Sequence, residues 1–329
     1  MRRRVLLAMF GGAAAPWLLR TAGALAQSPA KPFRVGVLLG AASPDAVPFA
    51  DFRDELRRLG YEEGRTIEFE MAATAVDYAA LPQAAATLVE KHVDVIVTFG
   101  LTAVRAAATT TRNVPIVALG SPDLIGAGFA QSYARPGGNV TGQLAFTAEL
   151  TQKRIELLKE LRPGLMRVGV LFNSDSAGEV AAVKRSHDWA QQLNMSVHET
   201  DIRRHGDLVP AFAAMANASV GALATMPSTF LLNFRQDIAS LALARGLPSV
   251  FTSREYAVAG GLMSYGPNFP LLFRHAAQYV DLILRGTKPA DLPIEEARDL
   301  SLVLNVRTAK ALGLTIPQSI LVRADEVIE

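Results

Sequence analysis

Small hydroxyl-bearing residues recur where apolar runs of this chain stop and helical patterns start. Gly100-Leu101-Thr102 opens one helical pattern, and Ser228 and Thr229 stand directly before another. A helix start offers backbone N–H groups without intrahelical acceptors, together with the positive end of the peptide dipole, so it suits a carboxylate or other anion. Ser and Thr also cap helices with no ligand present. One such loop reads as a cap, whereas several that converge from two halves of a chain point to a ligand.

Residue sets for other chemistries do not assemble. The glycine spacing of a dinucleotide fold fails after the first apolar run, where Gly40-Ala41-Ala42-Ser43-Pro44 stands, and no G-x-x-x-x-G-K-[ST] occurs. In Gly261-Leu262-Met263-Ser264-Tyr265-Gly266 one residue too many precedes Ser264 for the G-x-S-x-G elbow of a hydrolase, so the segment reads as a strand end followed by a turn. Arg135-Pro136-Gly137-Gly138-Asn139-Val140-Thr141-Gly142 precedes a strand pattern, Val140–Phe146, and reads as a tight turn rather than a phosphate cradle. The histidines, His92, His187, His198, His205 and His275, are spaced neither as a helical pair nor as H-x-H. Racemases built from two similar sheets need a cysteine pair, and the chain has no cysteine. The expectation is therefore a binding protein with no catalytic residues, no cofactor and no metal.

The elements that would position the hydroxyl loops come in duplicate. Arg34–Ser43 reads RVGVLLGAAS and Arg167–Ser176 reads RVGVLFNSDS, identical at six of ten positions and 133 residues apart. Each is an apolar, β-branched run that ends in small or polar residues, the pattern of a buried parallel strand delivering a loop. Helical patterns follow at Phe49–Tyr61 and Val180–Met195, then short alternating runs at Thr66–Met71 and Ser196–Ile202. Second helices come next, at Tyr78–His92 and Leu208–Ala218, then buried strands at Val93–Gly100 and Val220–Thr225. Third helices, Thr102–Thr110 and Leu231–Arg245, lead to fourth strands, Pro115–Gly120 and Pro248–Thr252. Both halves thus read β-α-β-α-β-α-β, which implies parallel sheets covered by helices on both faces.

Met1–Ala26 lies outside this scheme. It has three leading arginines, an apolar stretch broken by Pro16, and Ala24-Leu25-Ala26 at its end, the three-part pattern of an export signal cleaved before Gln27. Arg2-Arg3-Arg4-Val5-Leu6-Leu7 also resembles a twin-arginine motif, which leaves the export route open between the two systems. The formal charge of +2 becomes −2 without this segment, because four arginines leave with it. Nothing basic then remains to suit nucleic acid or an anionic membrane. With no cysteine for lipid attachment, the expected mature protein is a free periplasmic one.

Two framework segments, Ala134–Gly142 and Gly260–Gly266, resemble the ABC transporter substrate-binding protein family. So does the tail, in Gly286-Thr287-Lys288-Pro289-Ala290-Asp291-Leu292-Pro293, Leu304-Asn305, Ala309–Leu314, Ile316-Pro317 and Arg323–Ile328. The resemblance runs the length of the mature chain and implies the type I periplasmic binding fold: two similar doubly wound parallel-sheet α/β lobes joined by a three-strand hinge. It places the crossings near Gly142–Phe146, Ser264–Asn268 and Glu296–Ser301. Lobe one is then 27–142 plus 268–296, with Phe269–Arg285 as its late helix, and lobe two is 143–267 plus 297–329. The implied function is capture of a small molecule between the lobes, an amino-acid-like or aromatic carboxylate. A monomer would deliver it to an inner-membrane ABC permease driven by its ATPase. The alternatives are a periplasmic receptor for signalling and a secreted two-lobed enzyme. A sugar-repressor-like regulator would need a DNA-binding helix pair where the export signal stands.

Within that frame, loop position nominates the ligand contacts. Lobe one offers Gly40, Ala41, Ser43, Gly100, Thr102, Gly120, Ser121 and Asp123. Lobe two offers Asn173, Ser174, Asp175, Ser176, Met226, Ser228, Thr229, Thr252, Arg254 and Glu255, with Phe146 and Tyr265 at crossings. Thr102 is the expected carboxylate anchor and Asp123 the expected ammonium partner. The contrast between Gly40-Ala41-Ala42 and Asn173-Ser174-Asp175 is where ligand identity is expected to lie.

Overall fold

In the computed structural model, residues 31–40, 48–74, 77–121, 123–145 and 148–329 are described. The export-signal segment and the site candidates Ala41, Ser43 and Phe146 lie outside the described residues.

The first half folds as β1 (Phe33–Leu39), α1 (Phe49–Arg58), β2 (Ile67–Ala73), α2 (Leu81–Glu90), β3 (Val95–Phe99), α3 (Leu101–Thr110), β4 (Ile116–Ser121) and β5 (Val140–Leu144). A helix, α4 (Ala148–Leu161), then leads into the second round. That round is β6 (Arg167–Phe172), α5 (Ala177–Gln192), β7 (Ser196–Asp201), α6 (Leu208–Asn217), β8 (Ala222–Thr225), α7 (Thr229–Leu232), α8 (Arg235–Ala244), β9 (Ser249–Phe251), α9 (Arg254–Val258) and β10 (Met263–Pro267). The tail adds α10 (Phe269–Leu284), β11 (Glu295–Glu296), β12 (Leu300–Asn305), α11 (Val306–Ala311), α12 (Gln318–Leu321) and β13 (Glu326–Ile328).

Two sheets result, ordered β2-β1-β3-β4-β5-β11 and β7-β6-β8-β9-β10-β12-β13. The two rounds build the same doubly wound order, and the pairing is parallel except between β10 and β12. The repeated decapeptide supplies the central strands β1 and β6. Its shared glycine has one cause in both copies. A Cβ on Gly36 would lie 3.2 Å from Leu88 Cδ1, and one on Gly169 would lie 2.9 Å from Met215 Sδ. In each lobe the second helix presses a side chain against the middle of the central strand, and a Cβ there would have to push that side chain aside.

After Leu144, Pro267 and Glu296 the chain passes from one sheet to the other. These passages are tied together: Asn268 N donates to Asp299 O at 2.8 Å, and Ala297 N to Leu144 O at 2.8 Å. Gly142 belongs to this region. Its φ is +131°, and a Cβ would stand 2.1 Å from the Ala118 carbonyl oxygen, so no side chain is possible where β5 and β4 slip register. In the late helix α10, Phe269, Leu272, Phe273, Ala276, Ala277 and Val280 are buried and join the core cluster that holds Val35 and Phe52.

Three segments differ from the sequence reading. The helix expected over Leu231–Arg245 is two helices, α7 and α8, because Asn233 Nδ2 donates to the carbonyls of Thr229 and Phe230 and diverts the helical ladder. Ser264 sits inside β10, paired with Phe251 and Val303, rather than at a strand end. The residues after α12 form a final strand, β13, beside β12.

Candidate functional site

In both sheets the strand order reverses beside the central strand, between β1 and β3 and between β6 and β8. A crevice opens there outside the carboxyl ends of the strands. Gly40 ends one rim of the first crevice and Gly100 the other. Gly100 has φ +84° and precedes α3, whose first-turn N–H groups at Leu101, Thr102 and Ala103 face the opening. A Cβ on Gly100 would stand 3.4 Å from Thr229 Cγ2, so the two lobes touch here.

The second crevice is walled by hydroxyls and one acid. Ser176 caps α5, accepting from Glu179 N at 3.4 Å, and Ser228 caps α7, accepting from Leu231 N at 3.1 Å. Thr229 donates its hydroxyl proton to the Gly40 carbonyl across the cleft. Its oxygen then accepts from the Tyr78 hydroxyl, 3.2 Å away, since its one proton is already used. These two bonds fasten the lobes over a cavity of about 60 Å³. Phe99 and Phe269, edge to face at 5.4 Å, line it on the lobe-one side with Leu101 and Ala103. A wider vestibule of about 730 Å³ adjoins it, sharing Leu101, Gly178 and Arg185.

Glu179 is the strongest electrostatic feature of the cavity. It is 3% exposed, and its Oε2 accepts the backbone N–H of Asn173 at 2.7 Å. Burial pushes its carboxyl up to about 8, against the Asn173 N–H and the Ser228 hydroxyl, which pull it down. Burial also raises the Tyr78 phenol, and Glu179 adds to that rise. A carboxyl held this way stands ready for a cation: an ammonium group would supply the countercharge that the protein withholds.

The nominated residues divide. Gly40, Gly100, Thr102, Gly120, Ser176, Ser228, Thr229 and Thr252 line the cavity. Asp123 stands in the vestibule instead, its Oδ1 accepting from Gly126 N at 2.8 Å and Tyr133 Oη at 3.3 Å. Asn173 is buried, and its side-chain oxygen closes a local turn on Asp175 N. Ser174 gives its N–H and hydroxyl to Asp201, and Asp175 pairs with Arg203 at 2.9 Å, so both face outward. Met226 is 1% exposed in the core of the second sheet. Ser121 is fully buried in β4. Arg254 pairs with Glu326 through two bonds of 2.6 and 2.7 Å rather than with Glu255, and neither Arg254 nor Glu255 lines the cavity. Tyr265 packs on the second core, and its carbonyl accepts from Arg154. For Ser121 in β4 and Tyr265 in β10, the pleat sends alternate side chains away from the crevice, while Ser174, Asp175 and Arg254 are drawn outward by Asp201, Arg203 and Glu326.

The sequence reading passed over Tyr78, Thr151, Glu179, Arg185, Leu232, Ser253 and Phe269, all of which line the cavity. For Glu179 a signal existed. Ser176-Ala177-Gly178-Glu179 is a capping-box pattern, S-x-x-E, at the start of α5. Among the described residues no group of three His, Cys, Asp or Glu could hold a metal ion.

A family profile described as ABC transporter substrate binding protein matches residues 46–328. The chain is 23% identical over 263 residues to a tyrosine-binding protein of Clostridioides difficile strain R20291, across 80% of this chain and 75% of that one. Among solved structures it is similar to a conserved domain protein from Vibrio cholerae, with a TM-score of 0.83 and 26% identity, covering 90% of this chain and all of that one. It is similar too to a Streptococcus ABC domain in complex with L-tryptophan, with a TM-score of 0.81 and 23% identity, again covering 90% of this chain and all of that one.

Proposed function

The chain belongs to the ABC transporter substrate-binding protein family, whose members bind solutes rather than transform them, and from that premise we propose that it captures an α-amino acid or close analogue between its lobes. The observation that carries this is the polarity of the cavity. A buried carboxyl, Glu179, meets a set of hydroxyl and helix-start donors in one interlobe space. The first suits an ammonium group and the others a carboxylate, so together they suit a zwitterion. The tyrosine-binding relative supports an amino-acid ligand. An aromatic side chain would extend past Leu101 and Gly178 toward the vestibule, because the inner cavity has room for only about four waters.

Binding would close the lobes about the three passages between the sheets, with lobe one as 27–142 plus 268–296 and lobe two as the remainder of the mature chain. Hinge closure around a ligand is the known switching mode of periplasmic binding proteins. The Thr229–Gly40 and Tyr78–Thr229 bonds are the contacts that closure makes. The closed form would then be read by an ABC permease in the inner membrane, whose ATPase supplies the work. Family membership fits a periplasmic or extracellular setting, which the leader at Met1–Ala26 would provide. Among the described residues no helix is long and apolar enough to cross a membrane.

A melting screen of the purified chain against the amino acids tests this. Ligand at a hundred times its Kd stabilises by about 2.7 kcal/mol and shifts the midpoint by several degrees. If no amino acid moves the melting curve, the zwitterion reading is wrong.

A further inference from the structure

We propose that the carboxylate of the ligand is held on lobe two, by the Thr151 and Ser253 hydroxyls with the buried guanidinium of Arg154 behind them, and not at the start of α3. This deepens the amino-acid reading above and rests on it for the identity of the whole ligand, but the subsite stands on its own geometry.

Arg154 is the largest fully buried side chain among the described residues, at 1% exposure. Its Nη1 donates to the Tyr265 carbonyl at 3.0 Å and its Nη2 to Thr151 Oγ1 at 2.9 Å, while Nε has no partner among the described residues. No carboxylate among the described residues forms an ion pair with it. Burial drags the group down to about 9, the expected response of a cation without a counter-ion. A buried charge left without a partner is expensive, and proteins keep one only where something else completes it.

Thr151 shows where the completing group goes. It is 2% exposed and lines the cavity, one side chain in front of Arg154. Because its oxygen already accepts from the guanidinium, its proton is left to donate, and the adjacent cation polarises that O–H bond. Thr151 therefore presents a charge-assisted donor to the cavity, with one of its lone pairs already taken by the guanidinium. Ser253 provides a second donor. It precedes α9 but makes no side-chain cap; its Oγ is buried without a partner among the described residues, and the residue lines the same cavity. Ser176 and Ser228 each accept a backbone N–H as helix caps, and the Ser228 proton goes to Glu179. Two hydroxyl donors, one backed by an uncompensated cation, match the two oxygens of a carboxylate. Arg154 acts through Thr151 and is a positioning residue; it does not line the cavity.

Acetate is the probe that isolates this subsite, since it carries the carboxylate and nothing else that an amino acid offers. Melting of the purified chain is followed against sodium acetate, with sodium chloride at equal ionic strength as the reference. Acetate is expected to raise the midpoint of the native chain and of Thr102→Ala, and to leave Thr151→Val and Arg154→Met unmoved. In parallel, L-tyrosine and L-tyrosinamide are titrated. Loss of a hydrogen bond to a charged group predicts about tenfold to a hundredfold weaker tyrosine binding in Thr151→Val, with the preference for acid over amide collapsing. Arg154→Met should show the same collapse, which a merely structural role would not produce. Thr151→Val is nearly isosteric and keeps the test open should Arg154→Met fold poorly. An acetate shift equal in native and variant chains, or absent from the native chain, overturns the proposal even if amino acids bind. An acetate shift confined to chains with Arg154 and Thr151 upholds it even if no amino acid binds, in which case the zwitterion reading alone falls.

Discussion

The two walls of the cleft come from the same duplicated scaffold yet are chemically opposite. Lobe one brings backbone and apolar surface: Gly40, Gly100, Gly120, Phe99, Ala103 and Phe269, with Tyr78 and Thr102 as its polar side chains. Lobe two brings Thr151, Ser176, Glu179, Arg185, Ser228, Thr229, Thr252 and Ser253, eight polar side chains on the other wall. Both walls hang on the same glycine-centred strand, so the strand does not decide what is bound. On the proposed reading, lobe one would serve as a shaped, largely neutral lid, and lobe two would carry the charge that reads the ligand. The difference predicts that substitutions on lobe two change affinity far more than equally conservative ones on lobe one.

The largest effect is expected at Glu179. Glu179→Gln keeps the volume and the hydrogen bonding while removing the charge, and should weaken an ammonium-bearing ligand by about a hundredfold, the upper end for a charged hydrogen bond. Isothermal titration with an amino acid and with its deaminated analogue tests this, because the analogue should lose little. Equal losses for both would return Glu179 to a capping role.

The same carboxyl makes the contrast depend on pH. Its folded value, about 8, stands above the ordinary 4.5, so between these values the folded chain holds a proton that the unfolded chain has released. Stability from this group is therefore full below about pH 4.5 and falls as pH rises toward 8, by at most about 1.4 kcal/mol per unit. An ammonium ligand reverses the preference and expels the proton. Affinity should rise from pH 6 to pH 8, with about one proton released per ligand at the lower end. Titrations in two buffers of different ionisation enthalpy count that proton, and Glu179→Gln should flatten both the affinity profile and the proton count.

How much of this was legible in the sequence follows the same division. The β-α alternation, the two central strands and the loop ends at Gly40, Gly100, Thr102, Ser228 and Thr229 follow from local periodicity and from the rule that parallel strands deliver ligands at their carboxyl ends. The lobe-two contrast was expected at Asn173-Ser174-Asp175, yet two of those side chains turn to Asp201 and Arg203. The polar wall is built instead by Ser176 and Glu179 just beyond them and by Thr151, Ser228, Thr229, Thr252 and Ser253 from other loops and helices. Glu179 reads locally as a solvated capping acid, yet it is buried between Asn173 and Ser228 of its own lobe and Tyr78 of the other. Thr151 and Arg154 lie in α4, whose charged sequence reads as a surface helix. Burial of Arg154 arises from β10, more than a hundred residues away in sequence. Chemistry that depends on one lobe closing over another leaves no periodic trace in either.

Thr229→Val comes next in size. It removes the hydroxyl that donates to Gly40 and accepts from Tyr78, and so both bonds that fasten the lobes. Each ordinary hydrogen bond contributes roughly 0.5–1.5 kcal/mol, so affinity should fall by about tenfold. If, as proposed, closure makes these bonds, the change should fall in the dissociation rate. Stopped-flow dissociation separates this from a lost ligand contact, which would also erode selectivity among amino acids.

The smallest effect should be at Thr102, the residue that position alone favoured as the carboxylate anchor. Its backbone N–H lies in the first turn of α3 and survives substitution, so Thr102→Ala removes only a half-buried hydroxyl from the less polar wall. With the carboxylate held by Thr151 and Ser253, the loss should be about threefold or less. Thr151→Val should cost at least about three times more than that. The ratio is more informative than either value, since both changes delete one hydroxyl from a threonine lining the same cavity. A ratio near one would mean that both walls read the ligand equally. A ratio reversed in favour of Thr102 would move the carboxylate back to the start of α3, and the buried guanidinium of Arg154 would then serve the hinge strand through Tyr265 rather than the ligand.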